Sequence, residues 1–225
     1  LPVPRLRREH RRLTPNVGRA IMMKSRIQCA MPLLFLGMFC GCVATGPNLQ
    51  PISDSSARID ILGVSMLPPQ EAGWHYERLT PAKIEFGKAL NRETSFVIMV
   101  SLSWMPKFNS QEEFMKTISA QRQRESGNPR YETFVNEEIF SDEKDTPAFR
   151  FHTKYKDKGS PYLPKGEEAF IVEDYGIFCR HPMAWNVSVN IVCSQRTLPD
   201  NRRVDWDKLA NEFIRNVEFI EFPEE

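Results

Sequence analysis

The sequence predicts an α+β protein, an antiparallel β-sheet of about six to eight strands with two packed helices. Three observations predict it. Phe96–Trp104 (FVIMVSLSW) is the most apolar run beyond residue 58 and reads as a central strand. Asn186–Gln195 alternates, with Val187, Val189, Ile191 and Cys193 on one face and Asn186, Ser188, Asn190 and Ser194 on the other, broken only by Val192. Val204–Val217 places Trp206, Leu209, Ala210, Phe213 and Val217 on one stripe at helical spacing. Strand-like segments come in runs, each closed by one helix. That order favours an antiparallel sheet over repeated strand–helix–strand units.

The elements follow in chain order. Arg58–Leu67 alternates imperfectly and stops at Pro68-Pro69, so it reads as a first strand. Trp74–Leu79 and Ala82–Ala89 are short strands parted by Thr80-Pro81. After Phe96–Trp104, Ser110 with Glu113 forms a capping box that opens a helix to about Ser126, with Phe114, Met115 and Ile118 on its apolar face. Gly127-Asn128-Pro129 stops it. Four strands come next: Tyr131–Phe140, Ala148–Lys156, Glu167–Cys179 and Asn186–Gln195. Asp205 stands near the start of the closing helix.

Pro68-Pro69-x-x-x-Gly73-Trp74 after a first strand, then paired strands, a helix, four strands and a closing helix, resembles the PsbP-like group. That group includes the extrinsic photosystem II subunit P and many bacterial lipoproteins. Ser194-Gln195-Arg196 at a strand end is the second specific element of the resemblance. The resemblance implies a PsbP-like domain over residues 58–225 and a binding or accessory role rather than an enzyme. It carries over no single activity.

Residues 22–41 have the layout of a secretory signal. Lys24 and Arg26 form a basic head, an apolar stretch runs from Ile27 to Phe39, and Gly41 precedes Cys42. The stretch is shorter than the roughly 20 residues needed to span a bilayer. Phe39-Cys40-Gly41-Cys42 resembles the bacterial lipobox, with Phe39 where Leu is usual and Cys42 as the acylated residue. Residues 1–21 begin with Leu1, carry six arginines and read as a non-native extension upstream of a start at Met22 or Met23. Val43 rather than Asp after Cys42 points to the outer membrane, facing the periplasm. Residues 42–57 are rich in Gly, Pro, Ser and Asn and read as an acylated flexible tether.

Charge divides along the same line. Residues 1–41 hold eight Lys or Arg and one acid, whereas the remainder holds 22 and 28. The acidic mature part argues against nucleic acid and anionic lipid as partners. The expected partners are the membrane, through the anchor at Cys42, and an envelope protein; a small ligand is the alternative.

No Gly-x-Ser-x-Gly, Gly-rich phosphate loop or His-Glu-x-x-His occurs, so no catalytic residue is assigned and a hydrolase is the remote alternative. No cofactor or metal is expected. Cys179-Arg180-His181, taken with His152 or Cys193, lacks zinc-module spacing. The carboxylates of Glu137–Asp145 lack EF-hand spacing and read as a solvated edge and turn, and Glu167, Glu168, Glu173 and Asp174 read as solvated in the same way. Cys179 and Cys193 are the remaining cysteines of an exported chain. A turn at 181–184 sets Cys179 opposite about Val187, some six residues from Cys193, so free thiols are favoured and a disulfide needs a bulge or longer loop. Lys154–Lys165 (KYKDKGSPYLPK) is the leading contact candidate, a basic, aromatic loop on an acidic protein. Its expected contact residues are Lys154, Tyr155, Lys156, Lys158, Tyr162 and Lys165, with Trp74 as a second region.

Overall fold

The computed structural model describes residues 49–126, 128–143 and 146–222. The extension, the signal segment and Cys42 lie outside the described residues, as do 43–48 of the tether. Eleven strands and two helices are described. Eight strands form one antiparallel sheet: β1 (Gln50–Pro51), β4 (His75–Thr80), β5 (Lys83–Ala89), β6 (Ser95–Trp104), β10 (Ala184–Thr197), β9 (Phe170–His181), β8 (Thr146–Asp157) and β7 (Tyr131–Glu143), in that spatial order. A second sheet holds β11 (Val217–Phe219), β3 (Val64–Met66) and β2 (Ile59–Ile61). The element order is the one that the PsbP-like resemblance implies.

β6 is the expected central strand, flanked by β5 and β10. Its pairing with β10 runs from Val187↔Trp104 to Arg196↔Ser95. Helix α1 (Gln111–Ser126) packs on β7 and β8, and α2 (Trp206–Asn216) packs on β9 and β10. They cover opposite faces, because successive residues of a strand point to opposite sides. The α2 face holds the larger core, with Trp74, Phe86, Phe96, Ile98, Val189, Ile191 and Trp206 buried. Phe96 sits between two tryptophans, 6.5 Å from the Trp74 ring and 5.1 Å from the Trp206 ring. Phe114, Ile118, Phe149, Phe151, Phe178 and Val192 form the core under α1. Val192, the one break in the alternation of β10, is thus the residue that the second core requires.

The helices begin as their side chains dictate. Ser110 Oγ accepts from the Glu113 N–H at 3.1 Å, and the Glu113 carboxylate accepts from the Asn109 N–H at 2.8 Å. The expected capping box is therefore offset by one residue on its return bond. Asp205 makes no side-chain cap for α2 and binds Arg203 instead.

Two expectations change. Arg58–Leu67 is a hairpin, not one strand. It folds back at Leu62-Gly63, where Gly63 adopts a φ of 73°. The Gly63 carbonyl accepts from His181 Nε2 at 2.7 Å and from the Ile220 N–H at 3.0 Å. The folded domain also begins earlier than residue 58. β1 pairs with β4, and the Ile52 N–H donates to the Trp74 carbonyl at 3.1 Å.

Candidate interaction surface

Strand β8 reads FRFHTKYK over Phe149–Lys156, and alternation sorts it into two faces. Phe149, Phe151, Thr153 and Tyr155 point under α1 and are buried. Arg150, His152, Lys154 and Lys156 share the other face, about 6.6 Å apart at two residues each. That face is shared with α2, but α2 packs over β9 and β10, and Ile139, paired with Arg150, is 63% exposed. Arg150 Nη1 donates to Asn211 of α2 at 3.0 Å. The result is a row of basic side chains on the half of the sheet beside the helix.

The expected loop at Lys154–Lys165 is corrected accordingly. Lys154 to Asp157 belong to β8, and the connection to β9 is 158–169. Tyr155 leaves the contact set. It is 9% exposed, stands edge-on to Tyr131 at 5.1 Å and hydrogen-bonds Asp174. Trp74 leaves it too, at 2% exposure in the core. The Gly73-Trp74 element is a packing feature.

The row is organised by one carboxylate. Glu173 of β9 is fully buried and receives Arg202 Nε at 2.6 Å and Nη2 at 2.8 Å, Lys154 Nζ at 2.9 Å, His152 Nε2 at 2.9 Å and Gln195 Nε2 at 2.8 Å. Burial alone would raise its pKa. The bonds from Arg202, Lys154, His152 and Gln195 more than offset that and hold it at about 2. His152 Nδ1 meets Glu137 at 3.0 Å, and Lys156 and Lys158 both reach Glu132. Glu138 binds Ser119 and Arg122 of α1. Glu137 and Glu138, the members of the acidic cluster with described contacts, are thus partners of the basic row and of α1.

The 158–169 loop is anchored at its base. Arg130 grips Asp157 through Nε at 2.5 Å and Nη2 at 2.6 Å, and the Arg130 carbonyl accepts from the Lys158 N–H at 3.1 Å. The Gly159 N–H donates to Asp157 at 3.1 Å, and a Cβ there would lie 2.8 Å from the Arg130 side chain. Above this base Lys158, Tyr162 and Lys165 face solvent. The Tyr162 ring is 46% exposed, with the Arg196 guanidinium carbon 5.9 Å from its centre. Phe134, 53% exposed, is the bulge residue of the neighbouring edge strand β7.

Cys179 and Cys193 are buried thiols. Cys179 pairs with Val189 and Cys193 with Tyr175, so they stand four residues apart along the ladder, about 13 Å. The bulge between Ala184 and Ser188 shifts the register two residues from the expected one, without bringing the sulfurs together. His181 is committed as well. Nε2 donates to the Gly63 carbonyl, and Nδ1 accepts from the Met183 N–H at 3.2 Å.

Sequence reading passed over Arg150 and Arg202, weighed His152 only as a metal ligand, and expected Glu173 and Asp174 to be solvated, whereas both are buried. The signal was present in the every-other-residue spacing of the bases within Arg150–Lys156. It also missed a groove of about 200 Å³ between the Leu67–Glu71 segment and α2, lined by Pro68, Glu71, Arg203, Lys208 and Phe213. Arg203 closes one end with a bidentate pair to Glu71 at 2.5 and 2.8 Å.

No family model matches the chain, and no curated protein matches it. Solved structures similar to it include these three. The solution structure of cyanobacterial PsbP (CyanoP) from Synechocystis is 16% identical over 82% of this chain and 100% of that one, with a TM-score of 0.40. The Ran-binding protein Mog1p of Saccharomyces cerevisiae is 10% identical over 74% of this chain and 98% of its own, at 0.43. A point mutant of the protein Mog1 is 11% identical over 73% and 96%, at 0.44.

Proposed function

We propose that this chain is a lipid-anchored protein of the bacterial envelope, in the outer membrane facing the periplasm, whose folded domain serves an envelope complex by binding. The observation that carries the binding reading is the outward row of β8 continued by the anchored loop: Lys156, Lys158, Tyr162 and Lys165 project from a domain that is acidic overall. A rigid loop presenting cations and one aromatic ring loses little entropy on docking. The anchoring reading rests on Lys24–Cys42 and its lipobox-like end. The partner on this reading is an envelope protein with an acidic patch.

Two measurements test it. The intact mass of the protein from native membranes should correspond to a chain beginning at Cys42 with acyl groups. A photo-crosslinker at Tyr162 should capture the same envelope protein repeatedly, and Lys158→Glu with Lys165→Glu should abolish the capture while leaving the melting temperature in place. Capture that survives the charge reversal removes the loop from the interface.

The groove beside Pro68 favours a second reading, a carrier of a small ligand. A ligand that survives purification, or raises the melting temperature and loses that effect in Lys208→Ala, would support it over the first.

A further inference from the structure

β6 ends at Trp104 and runs on as Met105-Pro106-Lys107-Phe108; Met105 and Phe108 pack against the core under α1, which leaves Trp104 and Pro106 as an exposed apolar tip at this end of the sheet. Trp104 is 74% exposed, while Trp74 and Trp206 are buried at 2% and 1%. The tip is fixed to the neighbouring hairpin: Trp104 pairs with Val187, and the Met105 N–H donates to the Asn186 carbonyl at 2.9 Å. Met183, in the turn between β9 and β10 at the same end, is 52% exposed. An indole open to water beside a thioether and a proline suits the boundary between hydrocarbon and water, where its apolar body and polar N–H are both accommodated.

The direction of β1 says what covers this tip. Gln50 pairs with Tyr76, Tyr76 with Phe86, and Phe86 with Ile98, so Gln50 lies level with Ile98 of β6. β1 runs antiparallel to β4. β1, read from Pro51 back to Gln50, therefore runs in the direction of Thr80, which is level with Ser101, towards the Trp104 end of the sheet. Trp104 lies six residues beyond Ile98, about 20 Å away. Cys42 lies eight residues before Gln50, and eight residues reach at most about 29 Å. The last described residues before the anchor thus run towards the Trp104 end, and the eight residues between Gln50 and Cys42 are long enough to reach it.

From this we infer that the tip formed by Trp104 and Pro106, with Met183, docks into the interface of the bilayer that holds the anchor, and that its occupant is a layer of zwitterionic lipid. Charge argues for that lipid class, since the chain from Cys42 onward carries 22 basic and 28 acidic residues and an anionic surface would repel it. The inference rests on Cys42 being acylated. It turns the 158–169 loop away from the membrane, because Asp157, at the root of the loop, pairs with Phe170 at the opposite end of the ladder from Ala148↔Cys179.

The test uses the full acylated protein from membranes, reconstituted into phosphatidylcholine vesicles with or without bromine on the acyl chains. Subtracting the emission of Trp104→Phe isolates Trp104, and a bimane on Met183→Cys gives an independent reading. The expected result is a blue-shifted Trp104 component that loses most of its intensity in brominated vesicles, with the bimane quenched in parallel. Protein that floats with the vesicles but keeps both signals overturns the docking while leaving the anchor intact. Signals insensitive to bromine but accompanied by crosslinks from residue 104 to protein assign the tip to a protein partner and overturn it as well. Protein that neither floats nor carries acyl mass at Cys42 overturns the anchor and the docking together.

Discussion

His152 lies flat on Tyr175, with ring centres 4.2 Å apart and planes within 4° of each other. The stack fixes the imidazole edge-on between Glu173 and Glu137, so that one side chain of β8 ties β7 to β9. Glu173 in turn joins the basic row to Arg202, just before α2.

Glu173 stabilises the fold as an anion. Its folded pKa lies near 2, below the ordinary 4.5, so its contribution is fully present above about pH 5 and fades as the pH falls towards 2. Glu173→Gln strands three basic side chains around an uncharged amide and should cost roughly 2–4 kcal/mol at neutral pH. The difference from wild type, measured by urea unfolding, should shrink as the buffer is taken from pH 7 to pH 3. A difference independent of pH would remove the charge from the explanation.

Asp174 works in the opposite sense. It points under α1, is buried, and its Oδ1 has no hydrogen-bond partner among the described residues. Burial raises its pKa to about 6, against bonds from Ser194 and Tyr155 and the nearby charge of Arg122. An acid whose folded pKa lies above its unfolded one loses stability as the pH rises from about 4 through 6. Asp174→Asn should therefore flatten that part of the curve and gain on wild type between pH 4 and pH 7. Parallel unfolding curves for the two proteins across this range would refute it.

Gly63 makes the first hairpin turn at φ 73°, and a Cβ there would sit 2.9 Å from Phe222 and 3.0 Å from His181 Nε2. Gly63→Ala combines a left-handed backbone penalty with a steric one. It should lower stability by about 2–3 kcal/mol, seen as a drop in the melting temperature. An unchanged melting temperature would mean that the turn is not held against β11 and the residues after it.

The two thiols should be silent in the folded protein. Both are buried, and burial pushes the Cys193 thiol well above its ordinary range. Ellman's reagent should label neither at neutral pH and both in denaturant, and reduction should leave the intact mass of the domain unchanged. Rapid labelling of the native protein would place at least one of them at the surface.

Period was the legible part of the fold. Phe96–Trp104, Asn186–Gln195 and the stripe from Trp206 to Val217 each declared their element because one face met a large core. Ser188 and Ser194 looked like a solvent face yet are buried at 6% each, because this sheet has a helix on both sides. The Leu62-Gly63 turn was hidden within a loosely alternating run, its demand for a positive φ visible only once the hairpin is seen. In Lys154–Asp157, lysine and tyrosine composition suggested a loop while the two-residue period was already there. The hub had no local signature. Glu173, His152 and Arg202 come from three separate segments and meet only through strand register and the turn before α2.

The seam between β6 and β10 bears on how the chain finds this structure. β4, β5 and β6 are neighbours in sequence as well as in space, and so are β7, β8, β9 and β10. Each set can zip from its own turns at small loop-closure cost. The ladder that joins them pairs residues 83 to 101 positions apart, with α1 in the interval. Two meanders that assemble locally and then meet along one distant line make the meeting the slow step. Substitutions at Ile98 or Ile191 should therefore slow refolding more than equal truncations in the β7–β8 hairpin, and until that line closes the apolar edges of β6 and β10 are the surfaces a chaperone would have to shield.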